Sequence, residues 1–173
     1  NEFFKKRNIL YNIQNAKMLV RKKKYLVLVE GYTDTIALNK IGIPALAPLG
    51  TAISLEQINL AWSLVDEPII CMDGDDAGKK ASERLLDIAI PNLTSGKSLN
   101  FIELEKDKDP DSLLREDNGK IIMRDYLNKK RTFSEVLWNI EINKTTNNTR
   151  HTHSITNPVK NNIKNQNKTK HDQ

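Results

Sequence analysis

Acidic side chains follow two apolar runs of the sequence, at positions where they could hold a divalent cation. Glu30 follows the run of residues 25–29, and Asp73 and Asp75 follow the run of residues 68–72. Carboxylates that gather at one place repel each other strongly unless a cation neutralises their charge. Mg²⁺ is bound by protein carboxylates together with waters and phosphate oxygens. The pattern therefore indicates phosphoryl transfer assisted by one or two metal ions.

Three further carboxylates could belong to the same site. Asp34 lies one turn into the helix predicted after the first apolar run, and the pair Asp109 and Asp111 follows a later predicted strand. An Asp-x-Asp sequence is also a common helix cap, and Asp75 or Asp76 could simply cap the helix that begins there. For each motif, spacing alone does not decide between a metal ligand and a helix cap. Three such groups at strand ends favour the metal site, and Asp76 is interpreted as a cap.

A glycine-containing turn at another strand end could bind phosphate. It comprises residues 48–51, in which Gly50 and Thr51 can present backbone N–H groups to an anion. The basic run of residues 21–24 is more typical of a solvated helix end than of a nucleic-acid contact. The turn is therefore the better candidate for a nucleotide contact.

Short apolar runs alternate with segments of helical spacing along most of the chain. This alternation, with short connectors, predicts a mostly parallel, three-layer α/β sheet flanked by helices. Ligands of such sheets bind outside the carboxyl ends of the strands, so the carboxylates should converge on one crevice. Trp62 and Trp138 occupy apolar positions of predicted helices and are expected in the core. The predicted strands are residues 25–29, 45–47, 68–72 and 99–104, and the predicted helices are residues 5–24, 32–41, 54–65, 76–90, 112–116, 120–129 and 133–142.

The net charge of +5 is unevenly distributed along the 173 residues. Residues 144–173 carry six Lys/Arg and one acid, so they supply +5 on their own. Residues 1–29 have a balance of +7, and residues 30–143 have a balance of −7. The candidate metal ligands lie in the acidic part, so the total charge is a poor argument for nucleic-acid binding. The Asn-, Thr- and Lys-rich composition of residues 144–173 predicts disorder.

Several classes of protein are excluded by composition. No apolar stretch approaches the roughly 20 residues that a membrane span requires. Cys71, the single cysteine, lies in a predicted buried strand and excludes a disulfide framework and a multi-cysteine zinc site. The start lacks Met and the layout of a signal peptide, so we expect a segment of a longer protein in a soluble, reducing, intracellular setting.

Four short motifs occur in order along the chain. They are Val-Glu-Gly-Tyr-Thr-Asp at residues 29–34, Pro-Leu-Gly-Thr at 48–51, Asp-Gly-Asp-Asp-Ala-Gly at 73–78 and Asp-Pro-Asp-Ser-Leu at 109–113. Together they resemble the Toprim core of bacterial DNA primase of the DnaG type, over residues 4–142. The glutamate and the paired aspartates alone would indicate the broader Toprim group, which includes topoisomerases and ribonucleases. The forms of the first, second and fourth motifs narrow the resemblance to primase.

The resemblance implies an enzyme that makes short RNA primers from ribonucleoside triphosphates on single-stranded DNA during chromosome replication. It implies Mg²⁺ or Mn²⁺ as the cofactor, and a cytoplasmic, nucleoid-associated location in a bacterium. Lys6, Gly50 and Thr51 would contact nucleotide or template, with Arg7 standing where the family has a glycine. Glu30, Asp73 and Asp75 would be catalytic. The implied metal ligands are Glu30, Asp34, Asp73, Asp75, Asp109 and Asp111.

The resemblance also divides the chain into four parts. We expect a basic helical lead-in that ends the N-terminal polymerase subdomain, a Toprim domain, a helical extension and a disordered polar tail. The zinc-binding and helicase-binding domains of the family have no counterpart in these residues, which predicts a fragment or a truncated gene product. The parts are residues 1–24, 25–110, 111–143 and 144–173.

Two other functions remain open. The chain could be a folded metal- or nucleotide-binding module without turnover, because the template-binding half of the family is missing from it. It could also be a small Toprim ribonuclease. The ribonuclease predicts a lysine near the first motif, where Tyr32 stands.

Overall fold

The computed structural model of the chain describes residues 5–50 and 52–142. These residues form a sheet of six strands in the order β1-β3-β2-β4-β5-β6. The strands are β1 (Leu10–Tyr11), β2 (Val27–Leu28), β3 (Ala45–Pro48), β4 (Ile69–Met72), β5 (Asn100–Glu103) and β6 (Arg131–Thr132). The helices are α1 (Ile13–Lys23), α2 (Tyr32–Lys40), α3 (Leu55–Trp62), α4 (Asp76–Ala89), α5 (Pro110–Leu114) and α6 (Gly119–Asn128), and residues 133–142 are also helical.

The four inner strands run parallel, which confirms the predicted α/β class. β2 pairs with β3 and β4, and β4 pairs with β5, all in parallel. The outer strands β1 and β6 pair antiparallel with their neighbours. Every residue of β2, β3 and β4 is buried. Burial on both faces explains why these strands read as continuous apolar runs rather than as alternating patterns.

The hydrophobic core lies against the inner strands. Cys71 is fully buried in it, and burial raises the pKa of its thiol, so it behaves as the apolar core residue that the sequence predicts. Leu28 and Ile70, which alternate with the core residues along β2 and β4, are also buried. Residues of one core cluster are Val27, Val29, Leu38, Ile69, Cys71, Leu113 and Met123.

The N-terminal segment differs from the single helix predicted over residues 5–24. A 3-10 turn at Lys6–Asn8 and the edge strand β1 come before α1. The amide of the buried Gln57 accounts for the difference, because its Nε2 donates to the carbonyls of Lys6 (3.2 Å) and Ile9 (2.8 Å). These long-range hydrogen bonds take the place of the i to i−4 bonds that a continuous helix would make there.

The start of α3 agrees with the predicted capping box. The Gln57 N–H donates to Ser54 Oγ at 3.3 Å, and the Ser54 N–H donates to Gln57 Oε1 at 3.0 Å. Trp62 is 5% exposed, as expected, and its Nε1 donates to the Ser98 carbonyl at 2.8 Å. The core prediction for Trp138 is wrong, because 69% of this residue is exposed. Helical spacing identified its apolar position but not whether anything covers it.

Contacts divide the chain after Phe133 into two units. The first contains the sheet, and the second is helical over residues 134–142, where the structure describes it. The four-part division from the sequence stays a prediction, and the tail predicted at residues 144–173 lies outside the described residues. Among the described helices, none has the length and apolar character needed to cross a membrane.

Candidate functional site

The carboxyl ends of β2 and β4 place Glu30 and Asp73 next to each other. The two strands are parallel neighbours, with Val27 opposite Ile69. Residues that leave the two strands are therefore adjacent at one edge of the sheet. The Asp73 N–H donates to Glu30 Oε1 at 3.3 Å, which holds the glutamate across the gap between the strands.

Asp34 connects the start of α2 to the start of α5. It is 5% exposed, and its Oδ2 and Oδ1 accept from the backbone N–H groups of Gly31 and Asp111, both at 3.2 Å. The pKa of Asp34 is raised overall. Burial is the main cause, the charges of Asp109 and Asp111 add to it, and the two N–H donors partly oppose it. Asp34 is thus a buried carboxyl group whose two oxygens are both bound to backbone donors.

Asp73 carries a strongly perturbed carboxyl group. Partial burial is the first cause, and the charges of Glu30, Asp34, Asp109 and Asp75 add to it. Together they raise the pKa of Asp73 to about 7. Its Oδ1 is buried and makes no hydrogen bond within the part of the chain that the structure describes. An ionised carboxylate in that state is costly unless a proton or a cation neutralises it.

Asp75 caps α4 with one of its oxygens. Its Oδ1 accepts from the Gly78 N–H at 2.7 Å, so the cap interpretation that the spacing left open is realised at this residue. The expectation that Asp76 is the cap is wrong. Asp76 is the first residue of α4, and its side chain is 93% exposed and pairs with Lys79 at 3.8 Å. Asp75, the residue just before the helix, is in the position from which a side chain accepts from the third helical N–H.

Two glycines allow the turn between β4 and α4 to pack tightly. A Cβ at Gly78 would lie 2.1 Å from the carbonyl oxygen of Asp73, and a Cβ at Gly74 would lie 1.9 Å from that of Glu105. The Gly74 N–H also donates to the Lys108 carbonyl at 2.8 Å. The turn that carries the aspartates is therefore fixed by α4 on one side and by the loop after β5 on the other.

The acidic pair after β5 is built into α5. Asp109 caps the helix, with its Oδ1 accepting from the Ser112 N–H at 2.7 Å and its own N–H donating to Ser112 Oγ at 3.0 Å. Asp111 donates its N–H to Asp34, and its Oδ2 pairs with Arg115 Nη2 at 2.5 Å. The structure thus brings Asp109 and Asp111 to the site, with their oxygens partly engaged.

The three predicted nucleotide or template contacts differ in their placement. Gly50 lies in the turn after β3, at φ 75°, and lines the same cleft as Glu30. The Lys6 side chain is exposed, while its carbonyl accepts from Gln57. Thr51 lies outside the described residues. Of the three, Gly50 is the residue that the structure brings to the carboxylate edge.

The carboxylates suit a hard divalent cation by their chemistry. No three Asp, Glu, His or Cys side chains within residues 5–50 and 52–142 are arranged to hold a metal ion by themselves. Mg²⁺ commonly takes only one or two protein carboxylates and completes its shell with water and phosphate. The buried Oδ1 of Asp73 lies beside Glu30, has no hydrogen-bond partner in the described part of the chain, and supplies an acceptor for such an ion.

Three residues that support the site received no role from the sequence. Gly78 allows α4 to approach Asp73, Ser112 completes the cap with Asp109, and Arg115 pairs with Asp111. Ser112 stands three residues after its partner, which is the spacing of a capping box. Arg115 stands four residues after its partner, which is the spacing of a helical ion pair. The sequence thus contained a signal for these two residues.

Residues 27–114 match the model of a protein family described as Toprim-like. The chain belongs to the Toprim-like family. The matched segment begins in β2 and ends with α5, so it contains all six carboxylates predicted to bind metal.

This Toprim chain is similar to bacterial DNA primases. It is 39% identical over 139 residues to the DNA primase of Rickettsia felis, an alignment that covers 80% of this chain and 23% of the relative. It is 38% identical over 136 residues to the DNA primase of Pasteurella multocida, covering 78% and 23% of the two chains. The chain therefore spans about a quarter of the length of these curated relatives.

Solved primase structures share the fold of this Toprim chain. A DNA primase domain from Pseudomonas aeruginosa has a TM-score of 0.73 and 38% identity, over 79% of this chain and 43% of that one. A DnaG primase catalytic domain bound to single-stranded DNA has a TM-score of 0.75 and 32% identity, over 83% and 45%. These similarities confirm the resemblance to the Toprim core of DnaG-type primases.

Proposed function

We propose that this chain is the Toprim module of a bacterial DNA primase, which joins ribonucleotides into a short RNA primer on single-stranded DNA. The observation that carries the proposal is the buried oxygen of Asp73, which has no partner among the described residues and lies beside Glu30 at the ends of two parallel strands. The relatives are named DNA primase, and one structural neighbour is bound to single-stranded DNA. These similarities favour primer synthesis over the ribonuclease.

Glu30 and Asp73 would hold the metal ion, Mg²⁺ or Mn²⁺, with Asp75 as the third catalytic carboxylate. The raised pKa of Asp73 means that a cation would replace a proton there near neutral pH. The bound metal would neutralise nucleotide phosphates and lower the pKa of the primer 3′-hydroxyl. Glu30 and Asp73 would fix the position of the metal ion because each follows a buried strand.

The other three predicted ligands would support this centre. Asp34 and Asp109 contribute negative charge that raises the pKa of Asp73 and therefore favours a cation there. Asp111 holds Asp34 through its N–H and is itself paired with Arg115. We assign all three to the metal site, with contacts that would form or strengthen when the ion binds.

The remaining contacts concern the substrates. Gly50 would offer its backbone N–H to a nucleotide phosphate, and Lys6 and Thr51 would contact nucleotide or template. The partners would be a single-stranded DNA template, ribonucleoside triphosphates and the growing RNA primer, in the bacterial cytoplasm at the nucleoid. The template assignment is supported by the single-stranded DNA bound to one of the similar primase catalytic domains.

A second candidate is a metal- or nucleotide-binding module without turnover. It is favoured by the extent of the match, because this chain aligns with only 23% of the length of the Rickettsia felis primase. The two candidates share the carboxylate site and differ in whether primers are made.

A chimaera would separate the two candidates. Residues 5–142 of this chain would replace the matching segment of the Rickettsia felis primase, and primer synthesis would be measured on single-stranded DNA with Mg²⁺. We expect synthesis by the chimaera, its loss in Asp73→Ala and Asp75→Ala, and its retention in Asp87→Ala, an exposed residue of α4. A folded chimaera that binds nucleotide without making primers supports the second candidate, whereas full activity of Asp73→Ala contradicts the site.

A further inference from the structure

A cleft of about 440 Å³ lies between α4 and the turns at the carboxylate edge. Its volume is within the range of small-ligand pockets, roughly 300–1,000 Å³. Glu30 and Gly50 line it from the strand ends, and its lining on α4 extends from Ala77 to Ile88. At about 1.5 Å per residue, that lining follows the helix for roughly 16 Å. The cleft therefore begins at the candidate metal site and leads away from it.

The cleft is apolar, with one charged group on each side. Ala77 and Ala81 leave room along α4, where Leu85 and Ile88 continue the same helix face. Glu30 is the acidic residue of the lining, and Arg84 is the basic one. Arg84 is exposed, and its guanidinium has no ion-pair partner among residues 5–50 and 52–142.

We propose that this cleft is the subsite for the base of a nucleotide whose phosphates lie at Glu30, and that Arg84 recognises that base. The inference rests on the proposed function, because it takes the carboxylate edge to be the place of the phosphates. An apolar slot accepts the flat face of a base. The planar guanidinium of Arg84 can stack on the ring or donate hydrogen bonds to its edge.

The surroundings of Arg84 argue against a phosphate site at that end of the cleft. Arg84 lies in the interior of α4, where the backbone N–H groups are engaged in helical hydrogen bonds. A phosphate there would meet a single cation and otherwise apolar lining. Phosphate sites instead combine several donors, such as free N–H groups at a helix start. The base therefore belongs near Arg84 and the phosphates belong near Glu30.

Two ligands distinguish a base subsite from a phosphate contact. Affinities of the 173-residue chain for ATP and for inorganic tripolyphosphate would be measured by calorimetry in Mn²⁺. Ala81→Leu, which fills the cleft, and Arg84→Ala should each weaken ATP binding on the order of tenfold and leave tripolyphosphate binding unchanged. Arg84→Lys should also bind ATP weakly, because an ammonium group lacks the planar face with which a guanidinium stacks on a base. Glu83→Leu and Lys80→Ala, exposed on α4 outside the cleft, should bind both ligands normally.

Thermal unfolding would first show that the variants are folded, and any of four results would then overturn the inference. Equal weakening of both ligands by Arg84→Ala would make Arg84 a phosphate contact and overturn the inference. If Ala81→Leu binds ATP normally, the base does not occupy the cleft, and the inference is overturned as well. Wild-type protein that binds tripolyphosphate as tightly as ATP contradicts the base subsite alone. Wild-type protein that binds neither ligand contradicts the proposed function and this inference with it.

Discussion

Replacing Asp73 by Asn should stabilise the metal-free protein above neutral pH. Folding raises the pKa of this carboxyl from 3.8 to about 7. Between these values the folded state keeps a proton that the unfolded chain releases, so the stability contributed by Asp73 falls as pH rises from about 4 to 7. Above pH 7 the full penalty is present. Asn cannot ionise, so the Asp73→Asn variant avoids it.

The size of the effect follows from the same pKa. A rise from 3.8 to about 7 corresponds to about 4 kcal/mol at 1.36 kcal/mol per unit of pKa. Asp73 is only partly buried, and water screens part of this penalty, so we expect a gain of about 2 kcal/mol at pH 8. For a chain of this length that gain raises the melting temperature by about 6 °C.

Thermal unfolding followed by circular dichroism, with a chelator present and pH varied from 4 to 8.5, measures this effect. The melting temperatures of wild type and Asp73→Asn should coincide near pH 4 and separate as pH rises. Asp87→Asn, which removes an exposed carboxylate from α4, is the matched control and should follow wild type. Parallel curves for Asp73→Asn and wild type at every pH would refute the reasoning.

Three further predictions concern the framework of the site. Gly78→Ala should lower the free energy of unfolding, measured in urea, by more than about 2 kcal/mol, because its Cβ would lie 2.1 Å from the Asp73 carbonyl oxygen. An unchanged urea midpoint would contradict that packing. Gln57→Leu should cost about 1–3 kcal/mol by the same measurement, because two carbonyls of the N-terminal segment lose their donor, and a neutral effect would show that water replaces it. Arg115→Ala removes an exposed pair with Asp111 and should change stability by less than about 1 kcal/mol; a larger loss would mean that the pair fixes α5.

The inner strands could be predicted because burial on both faces leaves a signal in the sequence. β2, β3 and β4 each stand out as a short apolar run. The edge strands β1 and β6 lack such a run, because β1 ends before the polar Asn12 and β6 consists of the polar residues Arg131 and Thr132. β1 also depends on the hydrogen bonds of Gln57 with a segment about 50 residues away in sequence, and no local pattern encodes such a contact.

The site was partly predictable for a similar reason. Parallel strands carry their following residues to one edge, so the proximity of Glu30 and Asp73 followed from the order of the strands. The hydrogen-bonding partners of the individual carboxylate oxygens could not be predicted from the strand order. The packing of the turn decides that Asp75 rather than Asp76 caps α4. It also decides that no donor within residues 5–50 and 52–142 reaches Asp73 Oδ1. The cleft beside Arg84 likewise arises from the distance between α4 and the strand ends.

Binding of Mn²⁺ is the most direct test of the carboxylate site. Electron paramagnetic resonance of the 173-residue chain should show Mn²⁺ bound at pH 8, displaced by Mg²⁺, and released as pH falls below about 7, where a proton competes for Asp73. Asp73→Asn should weaken binding by at least about tenfold, whereas Asp87→Asn should not. Equal Mn²⁺ affinity in wild type and Asp73→Asn, or no binding by wild type at millimolar metal, would contradict the assignment of this edge as a metal site.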